Sequence, residues 1–223
     1  MMTMSVARIA AVFAAGVLLT GLGACSTLHQ TATPNPSFYA LERAPATGAR
    51  AAGPASAPAS ALSGAPTLIV EPPHAAAGFD SPRIIYVREA HKLEYFAHSE
   101  WVDPPARMLA PLLVAAIEHT AAFRAVALTP SAATGELRLD TEIIRLQQEF
   151  GIPPSRVRFT LRAYLVDART RGVLAQREFE AVVPAASEDP YAGVVAANSA
   201  VQTVLEELAL FCAEAAGGWR NAQ

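Results

Sequence analysis

The chain has 223 residues, of which 52% are hydrophobic and 17% are charged. Residues 1–24 contain Arg8 as their one charged side chain, so the remaining 199 residues carry 16 basic and 20 acidic side chains and a net charge of −4. That length is enough for one domain with a substantial core, and the negative charge argues against a general binder of nucleic acid backbones. The two cysteines exclude a disulfide framework and a structural zinc site built on cysteines.

The N-terminal residues have the pattern of a bacterial lipoprotein signal peptide. Arg8 precedes an apolar run, Ile9–Leu19, and small residues follow before Cys25. The stretch before Cys25 is shorter than the roughly 20 residues that span a bilayer. Leu22-Gly-Ala-Cys25 matches a lipobox, in which the cysteine sulfur and the freed amine receive acyl chains. We predict a signal peptide over residues 1–24 and lipid attachment at Cys25, the alternative being an ordinary signal sequence with a chance or buried cysteine.

Two segments of low complexity separate the anchor from the patterned chain. Residues 25–37 comprise the lipidated cysteine and a polar tether. The twelve residues Ser26–Ser37 reach at most about 40 Å when extended and about 20 Å as a flexible coil. A second, Ala/Pro-rich segment over residues 44–66 is predicted to be a flexible loop within a domain that spans 38–216, followed by a C-terminal tail, 217–223.

The first half of this domain is predicted to contain short strands and one helix. Asp103 is the candidate N-cap of a helix from Pro104 to His119. The apolar residues of that helix recur at a spacing of three or four from Met108 to Ile117. The predicted strands are Phe38–Leu41, whose pairing the sequence leaves open, Leu68–Val70, and a hairpin of Arg83–Arg88 with Lys92–Ala97.

The second half is predicted to form an antiparallel meander followed by a long helix. A strand at Ala125–Leu128 precedes three alternating segments, and the alternation slips at Ile143-Ile144, which predicts a bulge. The helix starts at Ser187 or Asp189 and ends at Gly217-Gly218. The meander strands are Leu137–Ile143, Val157–Leu165 and Val173–Val183.

These elements predict an α+β fold. It consists of six or seven strands in a mostly antiparallel sheet, with two main helices packed on one face because each has an apolar stripe. The other face of the sheet is relatively polar and is predicted to be free.

The sequence contains little evidence for catalytic or metal-binding groups. It has no nucleophile elbow, Walker loop or dinucleotide fingerprint. His91, Glu94 and His98 have the spacing of metal ligands only on a helix. On a predicted strand, residues three apart point to opposite sides, so we expect these three to be polar residues at the surface. Cys212 lies on an apolar helical stripe, which predicts a buried thiol rather than a nucleophile. We therefore predict no enzymatic activity, metal or cofactor.

Paired carboxylates and aromatic residues each allow two interpretations. Asp140 and Glu142 share a strand face, but Arg138 and Arg158 nearby favour a solvated ionic face over an acid–base pair. The densest aromatic group is Tyr95, Phe96 and Trp101. These side chains fit either the core or contact with a partner. We predict the free face and the hairpin as the contact surface, with Tyr95 or Trp101 among its anchors.

The order of motifs resembles the ABC-type transport auxiliary lipoprotein family, which includes the PqiC-like lipoproteins. The resemblance covers about Phe38 to Ala215 and is strongest from Phe79 to Pro105. It depends on the lipobox and on these segments: Phe38-Tyr-Ala-Leu41, Leu68-Ile-Val-Glu-Pro-Pro73, Phe79-Asp-Ser-Pro-Arg83-Ile-Ile-Tyr86-Val-Arg88 and Lys92-Leu-Glu-Tyr95-Phe96-Ala-His-Ser-Glu-Trp101-Val-Asp-Pro-Pro105.

The resemblance implies a lipoprotein of the outer membrane that faces the periplasm and has no active site. Its partners would be an MCE-domain protein and an inner-membrane ABC transporter, which move lipids or other hydrophobic molecules between membranes. Ser26 after Cys25, where Asp would signal inner-membrane retention, also favours the outer membrane. The competing classes are a structural lipoprotein of outer-membrane or cell-wall assembly and a periplasmic hydrolase. Homo-oligomerisation stays open.

Overall fold

A computed structural model describes residues 35–43 and 64–221. The predicted signal peptide, Cys25 and most of the predicted Ala/Pro-rich loop lie outside these described residues.

Nine strands form one mixed sheet in the described part of the chain. All eight segments predicted as strands are present, so the expected total of six or seven was too low, and the short strand β3 is additional. In chain order they are β1 (Ser37–Tyr39), β2 (Thr67–Val70), β3 (His74–Ala75), β4 (Arg83–Val87), β5 (Glu94–Trp101), β6 (Ala125–Leu128), β7 (Leu137–Glu149), β8 (Arg156–Asp167) and β9 (Val173–Pro184).

The three longest strands form the predicted antiparallel meander, β7–β8–β9. The predicted bulge is confirmed, because the β7–β8 register shifts between Ile143 and Arg145. The shift brings Leu146 to the buried face after Ile143, so the strand keeps its apolar side chains in the core on both sides of the irregularity.

The other edge of β7 pairs in parallel with β2, β3 and β4 in turn, and the sequence analysis did not predict these pairings. Strand β2 continues in parallel to β6. Strand β4 pairs with β5 in the predicted hairpin, and β5 pairs in parallel with β1. The pairing that the sequence left open for the first strand is therefore with Ser99–Trp101, at an edge of the sheet.

Two helices, α1 (Pro105–Glu118) and α2 (Pro190–Asn221), cover one face of the sheet, as predicted. Helix α2 packs over β8 and β9, and α1 packs against α2 and β6. Their buried side chains share one core with the inward residues of the strands, including Leu113, Phe159 and Leu208. By length and composition α2 could cross a membrane, and half of its most apolar window is buried in this core.

The start of α1 differs from the prediction. Pro104 occupies the N-cap position, and no side chain caps the helix. Asp103 lies one residue too early to cap, and its carboxylate instead accepts a hydrogen bond from Arg107 at 3.2 Å. At α2 the prediction of Asp189 is correct: Asp189 Oδ1 accepts a hydrogen bond from the Ala192 amide at 2.9 Å.

The predicted end of α2 at Gly217-Gly218 is wrong, because the helix continues to Asn221. Trp219 packs against the core beyond the two glycines, and this packing outweighs their low helix propensity. The segment predicted as a C-terminal tail is therefore helical as far as Asn221.

Candidate partner-contact surface

We call the helix-free side of the sheet the outer face. Backbone register assigns residues to it, since directly paired residues point to the same side of a sheet. Glu149 of β7 pairs with Val87 of β4 and with Arg156 of β8, so these three residues share the outer face. Neighbouring Gln148 and Tyr86 pair with each other and point to the helix side.

Tyr95 lies on the outer face at the hairpin. It pairs directly with Ile85, and the next pair, Tyr86 with Glu94, points to the opposite side. The Tyr95 side chain is 39% exposed, whereas Ile85 is buried. The Arg83 guanidinium lies 4.9 Å from the centre of the Tyr95 ring, a cation–π distance that restricts the ring. Tyr95 is thus a partly exposed aromatic side chain held by its neighbours.

Trp101 is a core residue. It is 4% exposed and belongs to the main hydrophobic cluster. Its amide donates a hydrogen bond to the Pro82 carbonyl at 2.7 Å, which fixes the end of β5. Of the two aromatic anchors predicted from sequence, the structure therefore leaves Tyr95 accessible and buries Trp101.

The hairpin is attached to the end of β7 by an aromatic cluster on the helix side. Tyr86 packs on Phe96 with ring centres 4.6 Å apart and on Phe150 at 5.7 Å. The Arg88 guanidinium lies 4.9 Å from the Tyr86 ring. The sequence analysis missed Phe150 and Arg88, because Phe150 follows a different strand and has no periodic signal. This cluster makes the hairpin a fixed platform for Tyr95.

Arginine and glutamate side chains alternate across the outer face of the meander. Arg158 Nε donates to Glu149 Oε1 at 2.8 Å, and its Nη1 donates to Glu180. Burial raises the pKa of Glu149, but hydrogen bonds from Arg158 and Gln147 outweigh it, so that pKa is lowered overall. The hydrogen bond to Glu149 also raises the pKa of Arg158. Both groups are therefore charged at neutral pH.

The predicted ionic face is confirmed, with one change of partner. Asp140 pairs with Arg138 at 3.0 Å. Glu142 pairs with Arg162 at 3.4 Å rather than with Arg158, because β8 places Arg162 opposite Glu142. Each carboxylate has its own arginine partner, as in a solvated ionic face and unlike a pair of carboxylates that share one substrate. The mixed signs leave no patch of a single charge in this part of the face.

The other candidate chemical groups are dispersed or buried. His91 lies in the hairpin turn with φ 68°, and Glu94 and His98 both lie in β5, which extends beyond the predicted end of that strand. No group of three potential metal ligands occurs in residues 35–43 and 64–221. Cys212 is fully buried, as predicted, and burial raises the pKa of its thiol to about 12.

Solved structures with the same architecture include a Xanthomonas campestris protein assigned to the family DUF330. It is 26% identical to this chain and has a TM-score of 0.65, and the match covers 71% of this chain and 89% of that chain. The fold is also similar to that of an uncharacterized protein at 12% identity and a TM-score of 0.60, over 80% of this chain and 99% of that chain. No curated protein sequence matches the chain significantly.

Residues 49–209 match the family model described as the ABC-type transport auxiliary lipoprotein component. The matched range runs from the Ala/Pro-rich segment into α2 and includes the hairpin, the meander and α1. This is a family of auxiliary transport lipoproteins and not a known enzyme family. The chain belongs to the family of ABC-type transport auxiliary lipoprotein components.

Proposed function

We propose that the protein is a periplasmic adaptor of a lipid-transporting ABC system, anchored in the outer membrane through Cys25. In this role it docks an MCE-domain protein, which connects it to an inner-membrane ABC transporter. Support for the anchor comes from the lipobox, and Ser26 supports the outer membrane. Support for the transport role comes from the family.

The observation that carries a docking role is the exposed Tyr95 ring on the helix-free face. The ring is held between its cross-strand partner Ile85 and the Arg83 guanidinium, so little side-chain freedom is lost on binding. Tyrosine and arginine are enriched among residues that dominate binding energies. The surrounding charges of both signs suit a polar rim around such an anchor.

A pull-down with the MCE-domain protein of the same bacterium tests the docking role. We expect Tyr95→Ala to weaken capture at least tenfold while the melting temperature falls by no more than a few degrees. Tyr95→Phe, which keeps the ring under Arg83, should bind nearly as the native protein. Leu210→Ala is the matched control, since Leu210 is exposed on the helix side.

Trp101→Ala separates a contact from core packing. Removal of this buried ring should cost about 3–5 kcal/mol of folding free energy, so the variant should show a large loss of stability. Native capture by a well-folded Tyr95→Ala variant would contradict the docking surface.

The anchor requires its own experiment. In Cys25→Ser cells we expect an unprocessed precursor without an acyl label, because the sulfur that accepts the lipid is gone. Native protein should sediment with outer-membrane markers in a density gradient. Acyl labelling of Cys25→Ser, or native protein that co-sediments with inner-membrane markers, would contradict the anchor or its location.

A further inference from the structure

Large apolar side chains are exposed where the chain that follows Cys25 enters the domain. Phe38 in β1, Val102 after β5, and Tyr191 and Val195 in α2 are each between 50% and 65% exposed. We call these four residues the β1 patch. Single apolar side chains on a surface are common and need no explanation. Four of them around one short edge strand require one.

Strand β1 brings the members of the patch together. The Val102 amide donates to the Tyr39 carbonyl at 2.8 Å, which fixes Val102 beside β1. Phe38 points to the opposite side of the strand from Tyr39, so the patch wraps around this edge of the sheet. The Tyr39 ring lies 6.4 Å from the Tyr191 ring. Val195 follows Tyr191 by four residues and therefore lies one turn further along the same side of α2.

Asn198 of α2 forms hydrogen bonds with the residues that follow β1. Its amide nitrogen donates to the Ala40 carbonyl at 3.2 Å, and its oxygen accepts from the Glu42 amide at 2.7 Å. The segment from Tyr39 to Glu42 thus runs along the first two turns of α2. The β1 patch is held by hydrogen bonds and ring contacts at a defined place on the domain.

The carboxylates near the start of α2 are engaged in local hydrogen bonds. Glu188 accepts a hydrogen bond from the Ser155 amide at 2.7 Å, and Asp189 accepts from the Ala192 amide. Asp103, next to Val102, pairs with Arg107. Glu100, the cross-strand partner of Phe38, and Glu42, at the end of the segment along α2, are further carboxylates beside β1. Glu42 and Glu100 therefore border the patch, and its apolar side chains are the groups available to an apolar ligand.

The length of the chain before β1 indicates what covers the β1 patch. The twelve residues Ser26–Ser37 limit the distance between an acylated Cys25 and β1 to about 40 Å. Because the tether joins the domain at β1, the β1 patch is the surface whose distance from the lipid the tether limits most directly. Tyrosine favours the boundary between headgroups and acyl chains, where its ring is in an apolar environment and its hydroxyl is hydrated. Phenylalanine is among the apolar residues that insert at the same boundary.

We propose that the β1 patch inserts into the interfacial layer of the membrane that holds Cys25, so that the domain lies against the bilayer in one orientation. This inference rests on the proposed acylation of Cys25 and adds a second membrane contact to it. Strands β5 and β4 separate β1 from the charged meander, so insertion at β1 leaves the meander open to a partner. Strand β1 pairs with the end of β5 at Ser99–Trp101, whereas Tyr95 lies near the start of β5.

Fluorescence quenching in vesicles tests the proposal with the full acylated protein. The vesicles contain phosphatidylethanolamine and phosphatidylglycerol with brominated acyl chains. A bimane label is attached at Tyr191→Cys, and at Leu210→Cys as the matched control. Cys212 is buried and should not react. Both labelled positions are exposed on α2 and lie about 28 Å apart along the helix.

We expect at least threefold stronger quenching at Tyr191→Cys than at Leu210→Cys, and Val195→Cys should behave like Tyr191→Cys. Protein that floats with the vesicles but shows equal or no quenching at the two sites would overturn this proposal alone. Protein that lacks acyl chains and does not float would overturn the anchor and this proposal together. A blue shift at Tyr191→Cys that needs no lipid and grows with protein concentration would assign the patch to a second copy, and so overturn the proposal.

Discussion

The indole Nε1 of Trp219 donates a hydrogen bond to Asp167 Oδ2 at 2.8 Å. The other carboxylate oxygen, Oδ1, accepts from the amides of Arg169 and Thr170 at 2.9 and 2.8 Å. One side chain therefore orders the β8–β9 turn and ties the last turn of α2 to it. The backbone hydrogen bond from Thr170 and the indole hydrogen bond lower the pKa of Asp167 to about 2.

Trp219→Phe should lower the melting temperature by a few degrees. Phenylalanine keeps most of the apolar contact with the core but cannot donate to Asp167, which is left with one hydrogen bond fewer. Thermal unfolding checks this. In the Asp167→Asn background the same substitution should have a smaller effect, since the charged acceptor is already absent. An undiminished effect in that background would place the role of Trp219 in packing alone.

Acid should lower the free energy of unfolding, partly because Asp167 becomes protonated. The pKa of its carboxyl is about 2 in the folded chain and near 3.8 when unperturbed. The carboxylate thus contributes stability above about pH 4, and that contribution is lost as the pH falls towards 2. Urea unfolding between pH 7 and 2 should show a flatter acid limb for Asp167→Asn. Glu214→Gln, at an exposed position of α2, is the control, and an acid limb as steep as the native one in Asp167→Asn would refute the assignment.

Two glycines of α2 should respond in opposite directions to alanine. A Cβ at Gly193 would overlap the Gln148 amide, which is held by Ser155 at 3.0 Å. Gly193→Ala should therefore cost about 1–3 kcal/mol of folding free energy. At Gly218 a Cβ meets no atom within 4 Å, so Gly218→Ala should stabilise the helix by about 0.5–1 kcal/mol.

Denaturant unfolding of both glycine variants checks these signs. Gln148→Ala combined with Gly193→Ala should recover part of the loss, because the obstructing amide is gone. A Gly193→Ala variant with native stability would mean that Gln148 moves without cost.

The Cys212 thiol should be inert in the folded protein. Burial removes it from solvent and raises its pKa to about 12, so almost no thiolate exists at pH 8. Reaction of Cys212 with a disulfide reagent should become fast only in urea. The urea concentration at which labelling is half complete should equal the midpoint of global unfolding. Rapid labelling in buffer would show that α2 opens locally around this residue.

Local periodicity determined much of the fold. The alternation in residues 137–183 predicted the meander and its bulge, since a strand with one buried face must place apolar residues at every second position. The apolar stripes predicted both helices, and the interspersed charges predicted an ionic outer face. Phe150, which fixes the hairpin, had no such signal.

The sequence alone also predicts a lipid anchor, because residues Leu22–Cys25 match a lipobox. Only the tertiary structure decided which distant segments share the second edge of β7, because parallel pairs join residues far apart in the chain and no local pattern encodes their partners. It likewise decided that Trp101 is buried while Tyr95 is exposed, and that α2 continues past two glycines. In each case contacts between distant segments decided what the local pattern did not, as the hydrogen bond from Trp219 to Asp167 does at the end of α2.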